Sequence, residues 1–192
     1  MKTKLMPLLK LFSIGFATLL VCSNAFSAIG TEKPFGWRAQ DGKIMSQTEA
    51  RKSVNGFGGW LLVTPGSDWQ KEWQKPSTET PNLKEAKLVK KGETAFVLIF
   101  FANPKLDSQQ KADVRCNIKI TRPNGTISIN QSDVICFQGK VDADPRSVFL
   151  ANPNIGFTGE PNDPLGKWIV EIDLIDKIRD TKIPLKTSFR LE

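Results

Sequence analysis

Trp69 and Trp73 stand four residues apart, a spacing that sets two indoles on one face of a helical turn. Trp37 and Trp60 precede them, so four of the five tryptophans fall within the first 73 residues. An exposed indole can stack on a sugar ring or anchor a protein partner, because it offers a large apolar face and one N–H donor. Trp69, Trp73 and Trp37 are therefore the candidate binding residues. The competing use is burial, the ordinary fate of tryptophan. Trp60 and Trp168 would then be core, with Trp69 and Trp73 folding their segment back over a sheet edge.

Other chemistry is sparse. The chain has no histidine, which excludes Ser-His-Asp and Cys-His mechanisms and any His-ligated metal. Three cysteines are too few for a four-thiolate zinc site. Asp142 with Asp144, and Glu160 with Asp163, are carboxylate pairs of the kind that bind Ca²⁺ or act as acid and base on a glycosidic bond. Neither has EF-hand spacing, and Pro145, Pro161 and Pro164 mark ordinary turns. No catalytic residue, metal or cofactor is expected. The glycines at 56–59 lack the Lys-Ser/Thr ending of a phosphate loop and precede a strand-like run, which reads as a bend. Asn124-Gly-Thr and Asn130-Gln-Ser match the glycosylation pattern, the first already explained by a turn.

Residues 1–28 carry the marks of a cleaved secretory leader. Lys2, Lys4 and Lys10 flank the start, residues 11–21 are apolar, and Ala25-Phe-Ser-Ala28 supplies small residues for cleavage after Ala28. Loss of the leader's three lysines lowers the formal charge from +7 to +4. A mildly basic chain with no basic-aromatic cluster does not predict nucleic-acid binding. No later stretch is long and apolar enough for a membrane span. Cys116 and Cys136 remain, and an even pair outside the cytoplasm predicts one disulfide. Its loop of about 20 residues would stabilise by roughly 3 kcal/mol on the loop-entropy account. The basic runs Lys87/Lys90/Lys91 and Lys177/Arg179/Lys182 read as solvated faces protecting strand edges, or as contacts to anionic lipid.

The elements that must hold these residues are strands. Residues 94–102 (TAFVLIFFA) are continuously apolar, as in a central strand. Residues 114–121 alternate, with Val114, Cys116, Ile118 and Ile120 on one face, and Pro123-Asn124-Gly125 turns the chain into Ile127 and Ile129. Counting back across that turn sets Cys116 opposite about 130–132, so a bond to Cys136 needs a break near Ser132 or a third strand. Further strands are predicted at 133–137, 147–150, 154–158, 167–175 and 182–191. Upstream, Ser46-x-x-Glu49 is a capping-box pattern for a helix through about Ser53. Residues 60–64 form a first strand, and Ser67 caps a turn carrying Trp69 and Trp73.

Gly166-x-Trp168-x-Val170-x-Ile172-x-Leu174, a polar turn, then Leu185-x-Thr187-x-Phe189-x-Leu191 resembles the last two strands of bacterial immunoglobulin-like and fibronectin-III-like modules. The resemblance implies an all-β, immunoglobulin-like antiparallel β-sandwich of about seven to eight strands over 84–192. Residues 29–83 would be an N-terminal extension with short helices and a first strand. The expected function is that of an exported, non-enzymatic module binding a cell-envelope protein as accessory, adaptor or inhibitor, with polysaccharide binding on an aromatic face as the alternative.

Overall fold

A computed structural model describes residues 35–39, 41–76, 79 and 81–192; the leader expected at 1–28 lies outside the described residues. Ten strands and one short helix follow in the order β1 (Arg51–Val54), β2 (Phe57–Pro65), α1 (Asp68–Trp73), β3 (Leu88–Val89), β4 (Thr94–Ala102), β5 (Lys111–Thr121), β6 (Ile127–Lys140), β7 (Val148–Leu150), β8 (Ile155–Thr158), β9 (Gly166–Asp176) and β10 (Thr181–Leu191). One sheet runs β1-β2-β4, with β7 and β8 both on the far side of β4; the other runs β3-β10-β9-β5-β6. All pairings are antiparallel except β3 with β10. The chain changes sheet between β2 and β3, β3 and β4, β4 and β5, β6 and β7, and β8 and β9, so consecutive segments alternate between the two layers of the sandwich.

Alternation dictates this assembly. Trp168, Val170, Ile172 and Leu174 of β9, with Ile183, Leu185, Phe189 and Leu191 of β10, face Phe57, Leu61 and Val63 of β2 and the odd-numbered residues of β4. Their polar neighbours in the two terminal strands, such as Lys167, Lys182 and Lys186, face outward. The β4 run has no polar half because its even-numbered residues are covered as well, by a second cluster outside the sandwich.

Both sides of the sandwich are stitched across. The Lys186 N–H donates to Glu49 O at 2.9 Å, and the Asn152 N–H donates to Cys136 O at 2.8 Å. Pro184, which has no N–H, sits on the exposed flank of β10, where its carbonyl accepts from Lys52 Nζ at 2.8 Å. At one end, the fully buried Asp176 carboxylate accepts the backbone N–H of Lys105, Ile178 and Arg179. Arg179 in turn donates to Asn55 O and Asn103 O, tying the β9–β10 turn to the other sheet.

The helix expected from Ser46 to about Ser53 does not form. Thr48, not Ser46, organises this segment, its Oγ1 and carbonyl both accepting from the Arg51 N–H. Residues 51–54 become β1 because Asn55 (φ 49°) and Gly56 (φ 82°) form a two-residue hairpin turn onto β2. The bend expected at 56–59 is this turn alone, since Gly58 and Gly59 lie inside β2. Strand pairing overrides the local capping signal. The division at 83/84 also does not follow the sheets, because β2 pairs along its length with β4.

The disulfide joins Cys116 and Cys136, with Cα atoms 5.8 Å apart. The expected strands from Ile127 and from Asp133 are one 14-residue strand. Its pairing with β5 shifts three times, at Ile120/Thr121, at Cys116/Ile118 and at Val114/Arg115. At the second shift Asp133 adopts φ 53°, and its N–H bonds Asn117 Oδ1 at 3.0 Å. Cys116 therefore faces Val134, and Cys136 stands outside the ladder between Ile135 and Phe137. The break sought near Ser132 is a bulge, and no third strand is needed.

Candidate binding site

The second apolar cluster lies on the outer face of β2 and β4. Leu62, Leu98, Phe100 and Ala102 form its floor, and residues from 35–45, α1 and the stretch around Leu83 cover it. Gly58 makes the first contact possible. A Cβ there would collide with the Phe35 ring, so glycine is what lets that ring pack against β2. Phe35 leads edge-on to Trp37 (centroids 5.5 Å), and Trp37 edge-on to Trp60 (6.1 Å). The Trp37 indole N–H donates to Lys52 O at 3.0 Å, which pins this covering segment to β1.

Helix α1 supplies the rest. Ser67 is its N-cap by position, but its hydroxyl makes no capping bond. Trp69 and Trp73 share the inward face, Trp69 packing on Phe96 at 5.7 Å and Trp73 on Phe100 at 5.2 Å. Glu72 holds the following loop, its Oε2 accepting from Lys75 Nζ at 2.8 Å and from the Asn82 N–H at 2.9 Å. The Lys75 hydrogen bond keeps the Glu72 carboxyl below the ordinary carboxylate range.

These pieces leave a cleft of about 430 Å³ walled by Trp37, Trp60, Trp73, Met45 and Leu83, with Arg51 and Arg38 among its lining residues. Arg51 Nη2 donates to Ser46 O at 3.3 Å, while its Nε is buried with no hydrogen-bond partner among the described residues. Arg38 Nη1 donates to Gly42 O at 2.8 Å. Among the described residues, both guanidiniums thus meet main-chain carbonyls and no carboxylate lines the cleft. Trp73 also borders a second cleft, of about 510 Å³, with Phe137, Gln138, Leu150, Asn152 and Asn154.

Of the three candidate residues, Trp69 is buried and lines neither cleft, so it cannot stack on a ligand. Trp37 is also largely buried but contributes a wall, and Trp73 is half-buried at the junction of the clefts. Trp60, assigned to the core from sequence, is half-buried and lines the cleft with them. Only its position on the outward face of β2 could have revealed this. Arg51 was hidden inside the expected helix.

The carboxylate pairs serve their own turns. Asp142 pairs with Lys140 at 2.8 Å, Asp144 accepts the Arg146 N–H, and Asp163 accepts the Glu160 N–H. Among the described residues no three such groups gather in a way that could hold a metal ion, and no helix is long and apolar enough to cross a membrane.

No protein-family model matches the chain, and no curated protein matches it. Among solved structures it is similar to a family 123 glycoside hydrolase from Clostridium perfringens, with 13% identity and a TM-score of 0.39 over 69% of this chain and 27% of that one. A Niemann-Pick type C2 protein from the Japanese carpenter ant has 12% identity and a TM-score of 0.37, covering 69% and 89% of the two chains. A CARDB domain from Pyrococcus furiosus has 12% identity and a TM-score of 0.32, covering 76% and 97%. The chain spans about a quarter of the hydrolase's length. Likeness of this degree carries no argument about site or activity.

Proposed function

We propose that this chain is a non-catalytic recognition module that works outside the cytoplasm and binds a cell-envelope protein, as accessory, adaptor or inhibitor. The carrying observation is the cleft between Trp37, Trp60 and Trp73 with its two guanidiniums. Tryptophan and arginine around a concave apolar pocket are the residue types in which binding energy concentrates at protein interfaces. Export is supported by the leader-like residues 1–28 and by the disulfide, a bond that persists in oxidising compartments.

The test is in-cell capture by a photo-crosslinking residue placed at Leu83. One dominant envelope protein, lost on Trp73→Ala while the variant stays folded, supports the reading. Capture that ignores Trp73, or captures no protein, overturns it. Carbohydrate binding is the second reading, favoured by the partly open ring of Trp73. There, titration with cell-wall glycans should shift the tryptophan fluorescence, and Trp73→Ala should abolish the shift.

A further inference from the structure

Resting on that reading, we propose that the partner presents an extended segment in which an apolar side chain fills the tryptophan cleft and an adjacent Asp or Glu meets Arg51 and Arg38. Three observations define this chemistry. The walls are apolar, so the inserted group is apolar. Among the described residues the charged lining is cationic: both guanidiniums donate to single main-chain carbonyls, and the Arg51 Nε lacks a hydrogen-bond partner. A guanidinium carries five donors, and a carboxylate is the group whose geometry satisfies two at once.

The third observation is the continuity of the surface. Trp73 lines both clefts, so the two adjoin at this ring. In the second, the carboxamides of Asn152 and Asn154 can pair with a peptide backbone. A path of two clefts joined at a ridge fits an elongated chain better than a compact molecule. The exposed Val148, beside the first cleft, extends the apolar rim along the same path.

The probe is a peptide of about twelve residues, acetylated and amidated, with Leu-Phe-Glu in a Gly-Ser background. Binding to the oxidised chain is followed by the indole N–H resonances of Trp60 and Trp73. We expect the Glu peptide to bind about fivefold more tightly than its Gln counterpart, as one partly exposed ion pair allows. That preference should shrink with added salt and vanish in Arg51→Gln. Arg38→Gln, at an exposed position, gives a second reading of the charge effect should Arg51→Gln not fold. Equal binding of the Glu and Gln peptides overturns the inference. So does a shift of the same indoles by decanoate with no response to any peptide, which would assign the cleft to a free amphiphile. The Leu83 crosslink separates the two levels. Capture together with Glu/Gln indifference removes the inference alone, whereas failure of both capture and peptide binding removes the reading beneath it as well.

Discussion

Asp176 and Arg179 form an ion pair at 3.4 Å in which the carboxylate has no solvent exposure and the guanidinium reaches across to the opposite sheet. Three backbone amides complete the carboxylate's shell, so its charge is fully compensated. Asp176→Ala removes the carboxylate from beside a largely buried guanidinium and leaves three N–H groups without their acceptor. Loss of one member of a buried pair costs about 3–5 kcal/mol. Urea unfolding should show a loss of that size, while Lys182→Ala, in the exposed pair with Asp173, should change stability by less than about 1 kcal/mol.

The disulfide gives a chemical readout. Alkylation of the oxidised chain should label neither Cys116 nor Cys136, and reduction in denaturant should release both. The Cys116→Ala/Cys136→Ala variant should unfold about 3 kcal/mol more easily on the loop-entropy account. Two thiols labelled without reductant would contradict the bond.

Acid sensitivity follows from Glu171 and Asp113. The hydrogen bond from Lys186, with Lys119 on the other side, holds the Glu171 carboxyl below its ordinary range, and Arg115 does the same for Asp113. A carboxyl depressed by folding contributes stability above its unfolded value, near 4, and loses it as the pH falls through the folded value. With no histidine, no side chain of ordinary pKa titrates between pH 5 and 8. The urea midpoint should be flat from pH 6 to 8 and fall below about 4. Glu171→Gln with Asp113→Asn should lower the plateau and soften that fall.

The tryptophans should divide by role. Trp69→Ala leaves a void against Phe96 and should cost about 3–5 kcal/mol, with little else to report. Trp73→Ala should cost less stability and more binding, because its half-buried ring borders both clefts. Gly58→Val should displace Phe35 and loosen Trp37, seen as a red shift in emission and a loss of about 1–3 kcal/mol. An unshifted spectrum would mean that Phe35 does not rest on Gly58.

Sequence reasoning reached the sandwich through residues whose partners lie close in the chain. The alternation of β9 and β10 and the Asn124-Gly125 turn are local signals: the first placed β9 and β10 within a residue, and the second placed the end of β5 and the start of β6. It missed β1 because Ser46-x-x-Glu49 is equally local and points to a helix. What decides there is the fit of residues 51–54 to β2 across Asn55-Gly56, visible only once β2 has a sheet to join. The site was half legible for the same reason. Trp73 declared itself by spacing, but Trp60 and Arg51 enter the cleft through the face they occupy on paired strands. No pattern within either segment records that β4 is covered on both sides.

The three register shifts of β6 have a consequence for the protein in crowded solution. This 14-residue strand lies at the rim of its sheet and exposes Ile127 and Ile135. A straight strand of that length would template its own copies into fibrils. Because its backbone kinks at every shift, an arriving strand could match it for only a few residues before losing step. The irregularity that brings Cys136 within reach of Cys116 thereby also interrupts the regular edge that strand-to-strand polymerisation needs.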